Sequence, residues 1–92
     1  MKAGRRTEYE IYWEVLSFCK LGRTVTQIVN RCDLNSKIGQ EYVDFLLKRS
    51  YLSKLNSDGL NLYRTTEKAD EYLTLFKKMY QGLFGNSPEF KL

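Results

Sequence analysis

Two short runs of strand-prone residues, Tyr51-Leu52-Ser53-Lys54-Leu55-Asn56 and Leu60-Asn61-Leu62-Tyr63-Arg64-Thr65, flank Ser57-Asp58-Gly59. The Asp-Gly step tolerates the positive φ that a tight reversal needs, so the segment reads as a β-hairpin. A lone two-stranded ribbon buries too little surface to be stable by itself. The rest of the chain must supply the surface that holds it, and the periodicity there is helical.

Thr7 is placed to cap a helix over about 8 to 21, with Glu8 and Glu10 in its first turn, Lys20 in its last and Gly22 as the stop. The apolar positions of this helix sweep about 220° of its circumference, more than one amphipathic stripe, so it must be covered on more than one side. Thr24 or Thr26 then caps a helix of about two turns that ends at Cys32. Asp33-Leu34-Asn35-Ser36 is a tight turn, and Asn35 or Ser36 can cap a third helix over about 37 to 49. The apolar residues of that helix keep within an arc of about 200°. Gly39 weakens it by about 1 kcal/mol relative to alanine, and marks either a close approach to the second helix or a tolerated defect. After the hairpin, Thr65 or Thr66 caps a last helix with Glu67 in its first turn and Lys77 and Lys78 toward its far end. It runs to about Phe84, where Gly85-Asn86-Ser87-Pro88 breaks it.

A helix, a short helix, a turn, a longer helix, a hairpin and a long final helix make a winged helix-turn-helix, a mainly α (α+β) architecture. The division expected is a flexible basic N-terminus over 1–7, the winged helix-turn-helix over 8–66, a dimerisation helix over 67–84 and a flexible tail over 85–92. Ninety-two residues are enough for one modest core, and 42% hydrophobic and 14% aromatic content argues for a folded chain. No apolar run approaches the roughly 20 residues of a membrane span, and Glu8, Glu10 and Glu14 interrupt any signal-type core near the start. The expected location is cytoplasmic and nucleoid-associated.

Cys19 and Cys32, with no histidine in the chain, cannot make a four-ligand zinc site. They are either two buried thiols or a bridge that would be unusual in a cytosol outside hyperthermophiles. Without histidine, a P-loop, a Gly-x-Gly-x-x-Gly run or a CxxC pair, nothing points to catalysis, a cofactor or a metal. The carboxylates and lysines fall at ordinary ion-pair spacings on helix faces.

The net charge of +4 is small, but its distribution is informative. Basic and acidic residues balance before residue 20 and after residue 64, while the stretch between carries eight basic residues against four acidic ones. The excess therefore coincides with the helix-turn-helix and hairpin, which suggests a polyanionic partner for that part of the chain.

The chain also resembles the small archaeal winged-helix proteins whose last helix pairs as an antiparallel coiled coil in a homodimer. The resemblance rests on Ile11-x-x-x-Val15-Leu16-x-x-Cys19-x-x-Gly22, Thr26-x-Ile28, Leu34-Asn35, Tyr42-Val43-Asp44-Phe45-Leu46-Leu47 and Tyr63-Arg64-Thr65-Thr66-Glu67-Lys68, covering about Tyr9 to Leu83. Gly39 stands where that family usually has leucine, Ser50 where it has the glycine ending the third helix, and Ala69 where it has glycine. The resemblance implies double-stranded DNA and a second copy of the chain as partners.

In a helix-turn-helix the N-terminal half of the second motif helix enters the major groove, which places Ser36, Lys37, Gln40 and Glu41 nearest the bases, with Lys48 further along. The competing reading is that Lys37-Glu41 and Asp44-Lys48 are i,i+4 ion pairs on a solvated face. Lys54, Asn56, Asn61 and Arg64 are the wing candidates, although edge lysines also discourage aggregation and Arg64 can pair with an acid on the last helix. Thr26, Gln27 and Arg31, and behind them Lys2, Arg5 and Arg6, are candidates for phosphate contact without sequence reading. The alternative use of such a domain is protein recognition within a larger assembly, since fold does not fix function and Glu41 and Asp44 lie on the same outward face.

On the last helix the apolar arc is about 180° wide, against the roughly 100° that one contact surface requires. A dimer interface through Tyr72, Leu75, Phe76, Met79 and Leu83 is therefore expected, with Tyr9, Tyr12 or Trp13 from the first helix able to join it.

Overall fold

A computed structural model of the chain describes residues 6–85. The order of elements is α1 (Glu8–Phe18), a 3-10 turn (Cys19–Leu21), α2 (Val25–Cys32), α3 (Ser36–Lys48), β1 (Leu52–Ser57), β2 (Leu60–Thr65) and α4 (Lys68–Phe84). This is the winged helix-turn-helix expected from the sequence. Lys2, Arg5 and residues 86–92 of the expected tail lie outside the described residues.

The helix starts follow from local chemistry. The Thr7 hydroxyl accepts the Glu10 amide while the Glu10 carboxylate accepts the Thr7 amide at 2.7 Å, a reciprocal capping box. Thr24 and Gln27 repeat it at α2, so Thr24 rather than Thr26 is the cap. Asn35 rather than Ser36 caps α3, its Oδ1 accepting the Ile38 amide at 2.8 Å. The first helix ends earlier than its pattern suggests: its last residues tighten into the 3-10 turn before Gly22 reverses the chain at φ 87°. The expected cap of the last helix is corrected. Glu67 occupies the cap position without a side-chain bond, while the Thr66 hydroxyl donates to Ser50 O and the Thr65 hydroxyl to Leu16 O. Both threonines are drawn away from the helix start to fasten the hairpin to the core.

The hairpin closes through a two-residue turn, Asp58 at φ 51° and Gly59 at φ 80°, between the paired Ser57 and Leu60. Its root is held by a short bridge in which the Arg23 amide donates to Tyr63 O at 2.9 Å and the Tyr63 amide to Arg23 O at 2.7 Å. The alternation along the strands is imperfect because only Leu52 and Tyr63 reach the core, while both faces near the turn are exposed.

The core forms around α1. Val15, Leu16 and Cys19 meet Ile28 and Cys32 of α2, Val43 and Leu46 of α3, Leu52, Tyr63, and Ala69 and Leu73 of α4. Full burial of one such aliphatic side chain is worth about 1.5–3 kcal/mol. The wide apolar arc of the first helix is thus satisfied by α2, β2 and α4 together. Cys19 and Cys32 are buried thiols not joined in a disulfide, which settles the alternative left open by sequence. Burial pushes the Cys19 thiol up to about 12, with Cys32 adding to the rise and Arg23 opposing it.

Glu14 is buried and forms an ion pair with Arg6, whose guanidinium also donates to Asp33 O at 3.3 Å. Arg6 and Thr7, expected in a flexible basic segment, are therefore tied to the fold, one spanning to the end of α2 and the other capping α1. Among the described residues no helix is long and apolar enough to cross a membrane, and no group of three or more His, Cys, Asp or Glu side chains converges as a metal site would require.

Candidate nucleic-acid interface

The third helix is divided lengthwise. Gly39, Val43 and Leu46 face the core, with Tyr42 and Leu47 half-buried beside them, whereas Ser36, Lys37, Gln40, Glu41, Asp44 and Lys48 are all exposed. Asp33, at φ 57° and ψ 51°, turns the chain between α2 and α3, and the Leu34 amide bonds back to Val29 O at 3.0 Å. At Gly39 the two helices pass so closely that an added β-carbon would meet the Val29 side chain. The glycine therefore marks a close approach, the first of the two explanations for it.

Neither Lys37–Glu41 nor Asp44–Lys48 closes as an ion pair among the described residues; instead the Gln40 amide donates to Asp44 at 2.8 Å. Lys37, Glu41 and Lys48 thus stand on the outer face without an i,i+4 partner, while Gln40 is held in one orientation by Asp44.

The hairpin register sorts the wing residues. Lys54 pairs with Tyr63 and Asn56 with Asn61, whereas Arg64 pairs with Ser53. Directly opposed residues share a face and successive ones alternate, so Lys54, Asn56 and Asn61 lie on one side of the ribbon and Arg64 on the other. Lys54 and Arg64, both wing candidates, thus stand on opposite faces of the hairpin. Asn56 Nδ2 donates to Asn61 Oδ1 at 3.2 Å, linking the two amides across the strands.

On α2, Thr26 and Gln27 are exposed, but the Gln27 carbonyl is used in the capping box. Arg31 is exposed and its guanidinium sits 5.8 Å from the Phe18 ring centroid, turned toward the end of α1. Sequence reasoning did not single out Arg23, whose guanidinium lies 4.4 Å from the same ring and whose Nε donates to Phe18 O at 3.2 Å. It sits in a connection with no helical period, and its charge beside the stop glycine was the one available signal. Arg49 and Lys68 were likewise missed: Lys68 donates to Arg49 O at 2.8 Å and lies 5.2 Å from the Tyr51 ring, joining α4 to the end of α3.

On α4 the five expected interface residues separate by depth. Phe76 is 7% exposed and stacks on Trp13 with centroids 6.3 Å apart. Tyr72 is half-buried, its hydroxyl donating to Tyr9 O, and burial pushes that hydroxyl up from its usual range. Leu75, Met79 and Leu83 are 58%, 52% and 67% exposed. Tyr72 and Phe76 therefore form the floor of an apolar groove that Tyr9, Leu75, Met79 and Phe84 also line. Of the three first-helix aromatics expected to join that interface, Trp13 packs against Phe76 and Tyr12 stacks on Phe45 at 5.4 Å, so both are engaged within the chain, whereas Tyr9 is 64% exposed.

A family model described as winged helix-turn-helix matches residues 5–82. The fold is similar to Sso10a-2, a DNA-binding protein from Sulfolobus solfataricus, with 25% identity, a TM-score of 0.73 and 87% of each chain covered. It is also similar to a MarR family transcriptional regulator from Streptomyces coelicolor, at 17% identity and a TM-score of 0.69, over 78% of this chain and 54% of that one. A MarR family protein from Bacillus stearothermophilus aligns at 14% identity and a TM-score of 0.68, over 89% of this chain and 59% of the other. With these two MarR proteins the likeness is one of fold, and the chain spans little more than half their length. A comparison with curated protein sequences finds no match.

Proposed function

The chain belongs to the winged helix-turn-helix family, and on that premise we propose that it binds double-stranded DNA, as a transcription regulator or a chromatin-associated protein of the nucleoid. The observation that carries this reading is the outer face of α3, where Ser36, Lys37, Gln40 and Glu41 are all exposed on a helix whose other side is buried. Lysine can donate to guanine acceptors, glutamine can pair with adenine and glutamate can accept from cytosine. The face therefore carries groups suited to base edges in the half of the helix that enters the groove. Lys54, Asn56 and Asn61 form the wing face that meets the backbone, with Thr26 and Lys48 as further phosphate contacts. The DNA-binding description of Sso10a-2 agrees with this role.

Two copies act together. Leu75, Met79 and Leu83 leave an apolar strip along α4 that a second copy of the same helix covers, which would place two recognition helices on one duplex. The test is a titration of mixed duplex DNA at several salt concentrations. Log affinity is expected to fall linearly with log salt, at a slope corresponding to roughly 4 to 8 phosphate contacts per dimer. No binding at low salt would overturn the proposal and favour protein recognition through the same face, to which Glu41 would then contribute.

A further inference from the structure

The end of α1 and the end of α2 enclose a hollow of about 280 Å³. Among the described residues, none from α3 or the hairpin lines it. Its apolar wall is Trp13, Phe18 and Leu21, and its cationic wall is Lys20, Arg23 and Arg31. Leu21, 83% exposed, forms an apolar rim of the hollow that no other described residue covers. The carboxylate in the wall, Glu14, is ion-paired with Arg6, so it does not offset the three cations.

Arg23 and Arg31 are placed rather than merely nearby. Both guanidinium groups lie against the Phe18 ring, at 4.4 and 5.8 Å from its centroid. Arg23 is further fixed by its Nε bond to Phe18 O and by its two backbone bonds to Tyr63. A guanidinium stacked on a ring keeps in-plane N–H donors at its edge, the geometry that accepts a carboxylate bidentately. Pre-positioned donors also reduce the ordering that binding requires. The volume is near the lower end of small-molecule sites, which limits the occupant to roughly one ring and a short arm.

We propose that this hollow binds a small aromatic carboxylate, with its ring against Trp13 and Phe18 and its carboxylate on Arg23 and Arg31. A cation is excluded by the three positive charges, and a bare phosphate would leave the indole, phenyl and leucine surfaces unused. The inference does not rest on DNA binding. Because Arg23 is bridged to Tyr63 of β2 and Arg31 lies in the last turn of α2, the ligand would join the root of the wing to the helix preceding α3.

Trp13 is the single tryptophan of the chain and lines the hollow, so it reports on occupancy directly. The full chain is titrated with phenylacetate, its neutral isostere phenylacetamide, acetate and inorganic phosphate while Trp13 emission is followed. Phenylacetate is expected to give a saturable change with Kd of ~1 mM or tighter, and each other probe to bind at least about tenfold more weakly. Arg23→Gln and Arg31→Gln, each checked for native circular dichroism, are expected to weaken phenylacetate about fivefold or more. An equal response to phenylacetate and phenylacetamide, tighter binding of phosphate, or the lack of a saturable signal in the wild-type chain would overturn the proposal. Wild-type discrimination between the acid and its amide decides the matter even if a variant fails to fold.

Discussion

A β-carbon placed on Gly39 would lie 2.5 Å from Cγ2 of Val29, well inside the contact distance of two carbon atoms. The crossing of α2 and α3 therefore depends on the absence of a side chain at one position, and this sets how deeply α3 sits against its neighbour.

Helix propensity alone would make Gly39→Ala stabilising by about 1 kcal/mol. Forcing a methyl into a closed contact costs roughly 1–3 kcal/mol, and the nearest atom belongs to a short, β-branched side chain with little freedom to retreat. The expected outcome is net destabilisation in urea melts. Combining it with Val29→Ala should recover part of the loss, so that a double-mutant cycle shows coupling between the two positions. Additive effects would mean that the helices do not cross at this distance.

Ser50 ends α3 at φ 66°, a left-handed conformation that a side chain disfavours. Its amide bonds to Leu47 O and its carbonyl accepts the Thr66 hydroxyl, and neither contact uses the serine side chain. Ser50→Gly should raise stability by about 0.5–1 kcal/mol, after allowance for the greater freedom of glycine in the unfolded chain. Thermal or chemical denaturation checks it; a lower midpoint would contradict the strain argument.

On DNA, Lys37→Ala and Gln40→Ala should each relax preference by roughly 1–3 kcal/mol at particular base positions. Lys54→Ala should weaken all duplexes about equally and reduce the salt slope by about one. Arg64→Ala, on the opposite face of the ribbon, should matter less than Lys54→Ala if the Asn56 and Asn61 face meets the backbone. Parallel titrations of specific and random duplexes distinguish these outcomes. Equal losses on both kinds of DNA for Lys37 and Gln40 would show that α3 is not reading bases.

Glutamate at both Met79 and Leu83 should give a monomer in sedimentation equilibrium and much weaker DNA binding, although neither residue is proposed to touch DNA. Both side chains are more than half exposed, so the substitutions leave the protomer core intact. A wild-type chain that already sediments as a monomer at micromolar concentration would remove the dimer from the proposal.

The Cys19 thiol, with an ordinary value of 9.0, is held protonated to about 12 by burial. Unfolding releases a thiol that ionises near 9, so the unfolded state gains from deprotonation at a pH where the native state cannot. This contribution to stability is complete below about pH 9 and is lost as pH rises toward 12. The tyrosines Tyr12, Tyr42 and Tyr72, all raised above 10.0 chiefly by burial, act in the same direction. The denaturation midpoint should therefore be lower at pH 10 than at pH 8. At pH 8 a thiol reagent should modify Cys19 only as fast as the chain opens.

The sequence by itself determined the parts of this protein that depend on neighbours along the chain. Thr7 with Glu10 and Thr24 with Gln27 carry their capping boxes within four residues, and Asp58-Gly59 carries its own reversal. The spacing of Val43 and Leu46 against Lys37, Gln40 and Glu41 separates the buried from the exposed face of α3 without reference to any other element. Only the tertiary structure decided which competing partner a side chain takes. Thr65 and Thr66 could each have capped α4, but Leu16 O and Ser50 O lie within reach and the hydroxyls go there. Gln40 bonds Asp44 while the equally spaced Lys37 and Glu41 remain apart. Phe76 and Met79 both belong to the apolar arc of one helix, yet Trp13 covers the first and leaves the second to solvent. Arg23 is placed by a bridge to Tyr63, forty residues away, that no local pattern encodes. Local hydrogen bonds and helical periodicity are written into short stretches of sequence, whereas these choices rest on which surfaces the packed helices bring together.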